Sequence, residues 1–260
     1  MTTTAIRSGL AGLMWLGLNV LTAAPPVYEV ADWPESGFGN HRAKLEVDDD
    51  AAQAAVVEAD IQWRRRDADA ADKALLLYAE DGTAVTDLLT LACSDERGVI
   101  RFRPAAGAGI YYLYYLPYTR LGLCASEEYY PPRDTARPHW KQIAAAASNP
   151  PQARLLALQA RHEFNNFYPM EVAATRAETA ALAKQCAGRK LVIFPEDRDH
   201  AIRMFDRLPL RWIESGPSNR FEGVACPGEY YVFQLGIWAP DTALDQLTAD
   251  WSGPAAATAT

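Results

Sequence analysis

Val57-Glu58-Ala59-Asp60-Ile61-Gln62-Trp63-Arg64 is the stretch that decides the fold. Val57, Ala59, Ile61 and Trp63 alternate with Glu58, Asp60, Gln62 and Arg64, a period of two that makes one strand face apolar and the other wet. The pattern recurs on both sides. Upstream, Ala43, Leu45 and Val47 alternate with Arg42, Lys44 and Glu46. Downstream, the apolar run Leu75 to Tyr78 is closed by Asp81-Gly82, a hairpin-turn dipeptide. Gly98 then precedes a strand at Val99 to Arg103, and Gly109 to Leu116 (GIYYLYYL) supplies another. Short strands at near-regular spacing with turn residues between them predict an antiparallel β-sandwich over residues 28–135.

The pattern changes after Pro131-Pro132 and Pro138. Trp140 to Ala147, Gln152 to Phe164 and Met170 to Cys186 carry Ala- and Leu-rich helical spacing, which predicts a helical connector over 136–188. Strand patterns resume in residues 189–252, at Leu191 to Phe194, Pro209 to Ile213, Phe221 to Ala225, Glu229 to Trp238 and Leu247 to Trp251. The run Glu229 to Trp238 (EYYVFQLGIW) is the richest in aromatic and β-branched residues. These strands are few for a closed sandwich, so a second, incomplete β-sandwich is expected there, followed by a disordered tail over 253–260. Two readings fit this end: the chain is the N-terminal part of a longer protein, or strands of the first region complete the second domain. The fold class is therefore mainly β with a helical connector.

Residues 1–24 carry the marks of a secretory signal. Arg7 is the positive residue, Leu10 to Leu21 the apolar core, and Thr22-Ala23-Ala24 the small residues at a cleavage site. The apolar run is shorter than the roughly 20 residues a spanning helix needs. No later segment is long enough to span, so the mature protein is expected in the periplasm or outside the cell, without membrane insertion. The chain has 25 basic and 33 acidic residues and a net charge of −8. That balance argues against a nucleic-acid partner, which needs a basic footprint. Cys93, Cys124, Cys186 and Cys226 show no zinc-ligand spacing, so no metal or cofactor is expected. They fit either buried free thiols or one bridge within 93–124.

Four segments carry a family resemblance. They are Gly109 to Tyr118 following Trp63-Arg64-Arg65-Arg66; Asn165-Asn166-Phe167-Tyr168-Pro169-Met170-Glu171-Val172; Phe194-Pro195-Glu196-Asp197-Arg198 continuing through Ile202-Arg203-Met204 to Pro209-Leu210-Arg211-Trp212; and Gly228 to Gly236. In this order and spacing the chain resembles the N-terminal, non-catalytic portion of glycoside hydrolase family 123 among bacterial secreted proteins. The resemblance implies a secreted enzyme with β-sandwich domains ahead of a (β/α) barrel. Its implied activity is hydrolysis of terminal β-linked N-acetylgalactosamine. There a Glu acts as general acid, and an adjacent Asp orients the substrate's own acetamido group. The barrel and its acid pair are absent from this chain, which is expected to be inactive alone. The alternative is a stand-alone secreted carbohydrate-binding or adhesion module.

Glycoside hydrolysis needs paired carboxyls, so each acidic pair matters. Asp95-Glu96 lies in a turn, Glu127-Glu128 in a solvated loop, and Asp48-Asp49-Asp50 in a hairpin connection that calcium would suit less well than water. None is assigned a catalytic role. Glu196, Asp197, Arg198 and Arg203, with Trp212, form the candidate wall of a sugar site or a contact to the barrel. An internal salt bridge is the competing reading. Tyr112, Tyr114 and Tyr118 are candidates for aromatic packing or sugar stacking. With both faces of that strand aromatic, packing by the opposite sheet on one side and by the helices on the other is the favoured reading. Carbohydrate, or a downstream catalytic barrel, is the expected partner.

Overall fold

The computed structural model describes residues 26–122, 126–204, 206–241 and 243–250. The expected signal segment 1–24, the tail 253–260 and Cys124 lie outside the described residues. Along the chain run β1 (Tyr28–Val30), β2 (His41–Val47), α1 (Asp49–Ala52), β3 (Val57–Gln62), β4 (Leu76–Ala79), β5 (Leu88–Cys93), β6 (Arg97–Phe102), β7 (Gly109–Tyr114), β8 (Tyr118–Leu121) and β9 (Ser126–Tyr129). There follow α2 (Pro138–Ala146), β10 (Arg154–Ala160), α3 (Arg176–Gln185), β11 (Val192–Glu196), α4 (Leu210–Ser215) and β12 (Gln234–Trp238).

The period-two segments become two facing sheets. One has the order β1-β10-β2-β7-β4, antiparallel except for the β1–β10 pair, and the other is β3-β6-β5. Ala43, Leu45, Val47, Leu77, Tyr111, Leu113 and Leu158 face Val57, Ala59, Ile61, Ile100 and Phe102 in one buried core. Each large side chain taken fully out of water there contributes about 1.5–3 kcal/mol. Trp63 continues the β3 face. Its ring lies over Gly98 of the neighbouring strand, where any Cβ would overlap it, and its Nε1 donates to Ser94 O at 2.7 Å.

The tyrosine strand β7 is covered on both sides. Tyr111 and Leu113 enter the core, and Tyr115 beyond the strand joins them. On the other face the cover differs from the expected helices. The Arg42 guanidinium lies 3.7 Å above the Tyr112 ring and 4.3 Å from Trp33, and it donates to Tyr114 OH at 2.9 Å. Phe38 packs 4.6 Å from Tyr114. Tyr118, on β8, is buried and donates to Glu35 at 2.7 Å.

The middle of the chain corrects the helical reading in part. Trp140 to Ala146 is helical, within α2, and Ala147 caps it in extended conformation. The stretch Gln152 to Phe164 instead contains β10, a strand between β1 and β2. Flanked on both edges and buried on both faces toward its end, β10 needs no alternation, and a bulge between Leu155 and Ala157 breaks what alternation there is. Its Leu-Leu-Ala-Leu run therefore mimics helical spacing. The third stretch is helical only from Arg176, where Thr175 and Glu178 form a reciprocal capping box.

The C-terminal part holds one two-stranded antiparallel sheet, β11–β12, packed on α3 and α4. Its core is Met170, Leu182, Cys186, Val192, Phe194 and Trp212. Among the described residues it shares no ladder with the sandwich sheets. Pro209 to Ile213 forms a helix rather than a strand: Pro209 serves as N-cap of α4, with its fixed φ of −63° leading the chain in. Phe221 to Ala225 and the described part of Leu247 to Trp251 are not strands, and Glu229 to Trp238 contributes only β12. Asp48 to Asp50 is no hairpin turn either. It opens α1, where the Asp48 carboxylate accepts from Ala51 N at 2.8 Å. Glu127-Glu128 lies in β9, with both side chains in solvent. Cys93, Cys186 and Cys226 are free thiols.

Candidate functional site at the seam between sandwich and C-terminal unit

The Asp95-Glu96 turn that joins β5 to β6 sits where the sandwich meets the C-terminal unit. The backbone N–H groups of Trp63 and Arg65 donate to Glu96 O and Asp95 O, at 3.2 and 2.8 Å, so the chain leaving β3 is bound to this turn. That places Arg64 next to it. Arg64 reaches across to α3, donating to both oxygens of Glu178 at 2.6 and 2.8 Å and to Ala173 O at 3.0 Å. This fork, with the capping-box N–H of Thr175, holds the Glu178 carboxyl down at about 2. Asp95 accepts from Arg176 at 2.8 and 3.0 Å and is ion-paired with Arg207. Glu96 accepts the Arg176 backbone N–H at 2.7 Å. Arg207 also donates to Arg65 O at 2.9 Å.

Every carboxylate of this clamp faces guanidinium or N–H donors. A general acid must present a free carboxyl to the leaving group, whereas the Asp95 and Glu96 oxygens are taken by Arg176 and Arg207. The Asp95-Glu96 pair thus holds the two parts of the chain together.

Beside the clamp opens a cleft of about 990 Å3 lined by Arg176, Arg207, Met204, Trp212, Leu235 and Trp238. Trp212 stacks on Phe194 at 4.4 Å with the rings parallel to within 1°. Gly236 of β12 lets the Trp212 ring lie against the strand, since a Cβ there would overlap it. On β12 the apolar side chains Leu235 and Ile237 are 39% and 46% exposed, and Val232 just before the strand is 64% exposed.

The residues singled out in the sequence do not converge on one constellation. Glu196 is buried, and its carboxylate accepts from Trp212 Nε1 at 2.8 Å and Arg211 Nε at 3.2 Å. Asp197 holds His200 Nδ1 at 2.8 Å, and this bond lowers its carboxyl pKa. Arg198 pairs with Glu229, and Arg203 with Glu171 at 3.2 Å while lying 5.3 Å from the Tyr168 ring. Trp212 alone of the five lines the cleft. Glu196, Asp197 and His200 bring one ligand atom each within 4.8 Å of one another, yet Glu196 is already occupied by Arg211 and Trp212. Tyr112, Tyr114 and Tyr118 are distant in kind from this site, engaged by Arg42 and Glu35 in the sandwich. The sequence reading missed Arg64, Arg176, Glu178 and Arg207. The one local signal was Thr175-x-x-Glu178, a capping-box spacing that marks a helix start.

Fold and seam together define a β-sandwich module tied by ion pairs to a smaller C-terminal unit. The family model described as glycoside hydrolase 123, N-terminal domain, matches residues 31–161, and the chain belongs to that family. The match runs from just after β1 to the end of β10, so it takes in the strand that completes the large sheet. The matched region is thus a glycoside hydrolase accessory region. No curated protein and no solved structure matches the chain. No helix among the described residues is long and apolar enough to cross a membrane.

Proposed function

We propose that the chain is the N-terminal accessory region of a secreted glycoside hydrolase acting on terminal β-linked N-acetylgalactosamine, and that a catalytic (β/α) barrel docks on the cleft beside β12. Family membership supports the enzyme class. The observation that carries the docking reading is where exposed apolar surface collects. Of the fourteen large hydrophobic residues exposed among the described residues, seven lie between Val224 and Leu247. Two of these, Leu235 and Ile237, line the cleft beside Arg176, Asp206 and Arg207, and exposed apolar surface rimmed by charge is the mark of a surface that another body covers. The sandwich supplies the rigid base and the clamp fixes the angle at which this patch is presented.

The test is association in solution with a separately produced catalytic barrel of family 123, followed by size-exclusion chromatography with light scattering. A one-to-one complex is expected, and the double substitution Leu235→Asp, Ile237→Asp should abolish it. Two folded proteins that stay apart would overturn the docking reading.

A further inference from the structure

A groove far from the seam runs along α2. It is about 770 Å3 in volume and lies between that helix, the segment Ala52 to Ala55, and the chain leaving β6 at Arg103 to Ala105. Its lining includes Arg103, Arg137 and His139 and contains no carboxylate. Asp87, just behind the lining, offsets Arg137, which leaves Arg103 as the cation that meets no carboxylate at hydrogen-bonding distance among the described residues. Arg137 is held in place from behind by Asp87, a buried carboxylate that accepts from its Nε at 3.1 and 3.2 Å and from its backbone N–H at 3.0 Å. The Arg103 side chain makes no hydrogen bond or ion pair among the described residues. The floor is apolar. Trp140 is buried there, its Nε1 satisfied by Ala55 O at 3.0 Å, and Ile143 is exposed at the edge. Through Ala54, Ala55 and Ile143 the groove continues into a shallower depression of about 370 Å3 edged by Asn149, Pro150 and Pro151.

We propose that this groove binds an acidic oligosaccharide. A sulfate ester or uronate carboxylate would lie between Arg103 and Arg137, and the apolar faces of successive sugar rings along Ile143 and the alanine and proline surface. Arg103 can meet such an anion through paired N–H donors, and Arg137, whose Nε and Nη2 are held by Asp87, adds its remaining Nη1. Two adjoining depressions that share Ala54, Ala55 and Ile143 give room for several linked rings. The choice of a saccharide rests on the glycoside hydrolase reading above; the anionic chemistry rests on the groove itself.

Titration calorimetry of the whole chain with a chondroitin sulfate hexasaccharide tests the proposal, with neutral chitohexaose and sodium sulfate as the other arms. Binding of the sulfated hexasaccharide is expected, with no binding of the neutral one. Arg103→Ala should weaken it about tenfold or more, the effect of losing one charge-assisted hydrogen bond. Arg189→Ala, the same charge change on an exposed arginine after α3, should leave it unchanged. Circular dichroism confirms that each variant is folded. Four results would overturn the site: no binding of the sulfated hexasaccharide, equal binding of chitohexaose, equal weakening by Arg189→Ala, or sodium sulfate binding as tightly as the saccharide. None of these bears on the barrel-docking reading, which is decided by complex formation at β12.

Discussion

Replacing Trp63 by alanine removes the side chain that closes one end of the sandwich core. The ring is 1% exposed, packs tilted at 41° and 5.2 Å from Tyr115, lies against Gly98 and carries a donor satisfied by Ser94 O. Gly98 and its neighbours belong to paired strands and cannot collapse into the space, so a cavity remains. Truncations of this kind cost about 3–5 kcal/mol. A domain is stable by only about 5–15 kcal/mol, so much of the sandwich's stability depends on this ring. With a urea m-value of about 2 kcal/mol/M, a 4 kcal/mol loss moves the unfolding midpoint down by about 2 M. Trp63→Phe retains an aromatic ring but not the hydrogen bond, and should lose only about 1–2 kcal/mol. The assay is urea unfolding followed by far-UV circular dichroism for wild type and both variants. A loss under about 1 kcal/mol for Trp63→Ala would refute the reasoning, because it would mean that the ring is not part of the core.

Further outcomes follow from the seam and the C-terminal unit. Because the folded-state pKa of Glu178 is depressed to about 2 from 4.5, its contribution is complete above about pH 4.5 and is lost as pH falls toward 2. The nominal value of about 3 kcal/mol shrinks to about 1 kcal/mol for so exposed a pair, and a melting profile over pH 2–5 should show it in the wild type and not in Glu178→Gln. Asp95→Asn releases Arg176 and Arg207 together, so limited proteolysis between the sandwich and β11 should speed up at least severalfold; unchanged cleavage would mean that the clamp does not restrain this region. Gly236→Val drives a side chain into the Trp212 ring and should destabilise the β11–β12 unit by about 1–3 kcal/mol, read by tryptophan fluorescence, with the sandwich transition unmoved.

The sandwich was legible in the sequence because its strands are one-sided. The alternation at Val57 to Trp63 and at Ala43 to Val47 follows from one face meeting the opposite sheet and the other meeting water or polar side chains. β10 was illegible for the converse reason. Neighbours on both edges and both faces remove the alternation, and its Leu155-Leu156-Ala157-Leu158 run then carries helical spacing by coincidence. α4 is only six residues long, too short for a helical period to register, and its Leu210-x-Trp212 pattern satisfies a strand equally well. At the candidate site, Trp212 was visible as a large aromatic beside Arg211. The clamp was not, since Arg64 meets Glu178, and Asp95 meets Arg176 and Arg207, across long stretches of chain. A local window contains no sign of such pairs. The Asp95-Glu96 dipeptide was visible, but only its surroundings show that its oxygens are engaged by Arg176 and Arg207.

The most direct test of the central claim, that this chain is a non-catalytic accessory region, is release of chromophore from an aryl β-N-acetylgalactosaminide by the chain alone, beside its Glu96→Gln and Glu196→Gln variants. Acid catalysis with a substrate-derived nucleophile requires a protonated carboxyl and a second carboxylate converging on one pocket. Glu96 and Glu196 are instead held by Arg176 and by Arg211 with Trp212. The account predicts no release above background in any of the three proteins. Turnover by the wild-type chain that either substitution abolishes would contradict it.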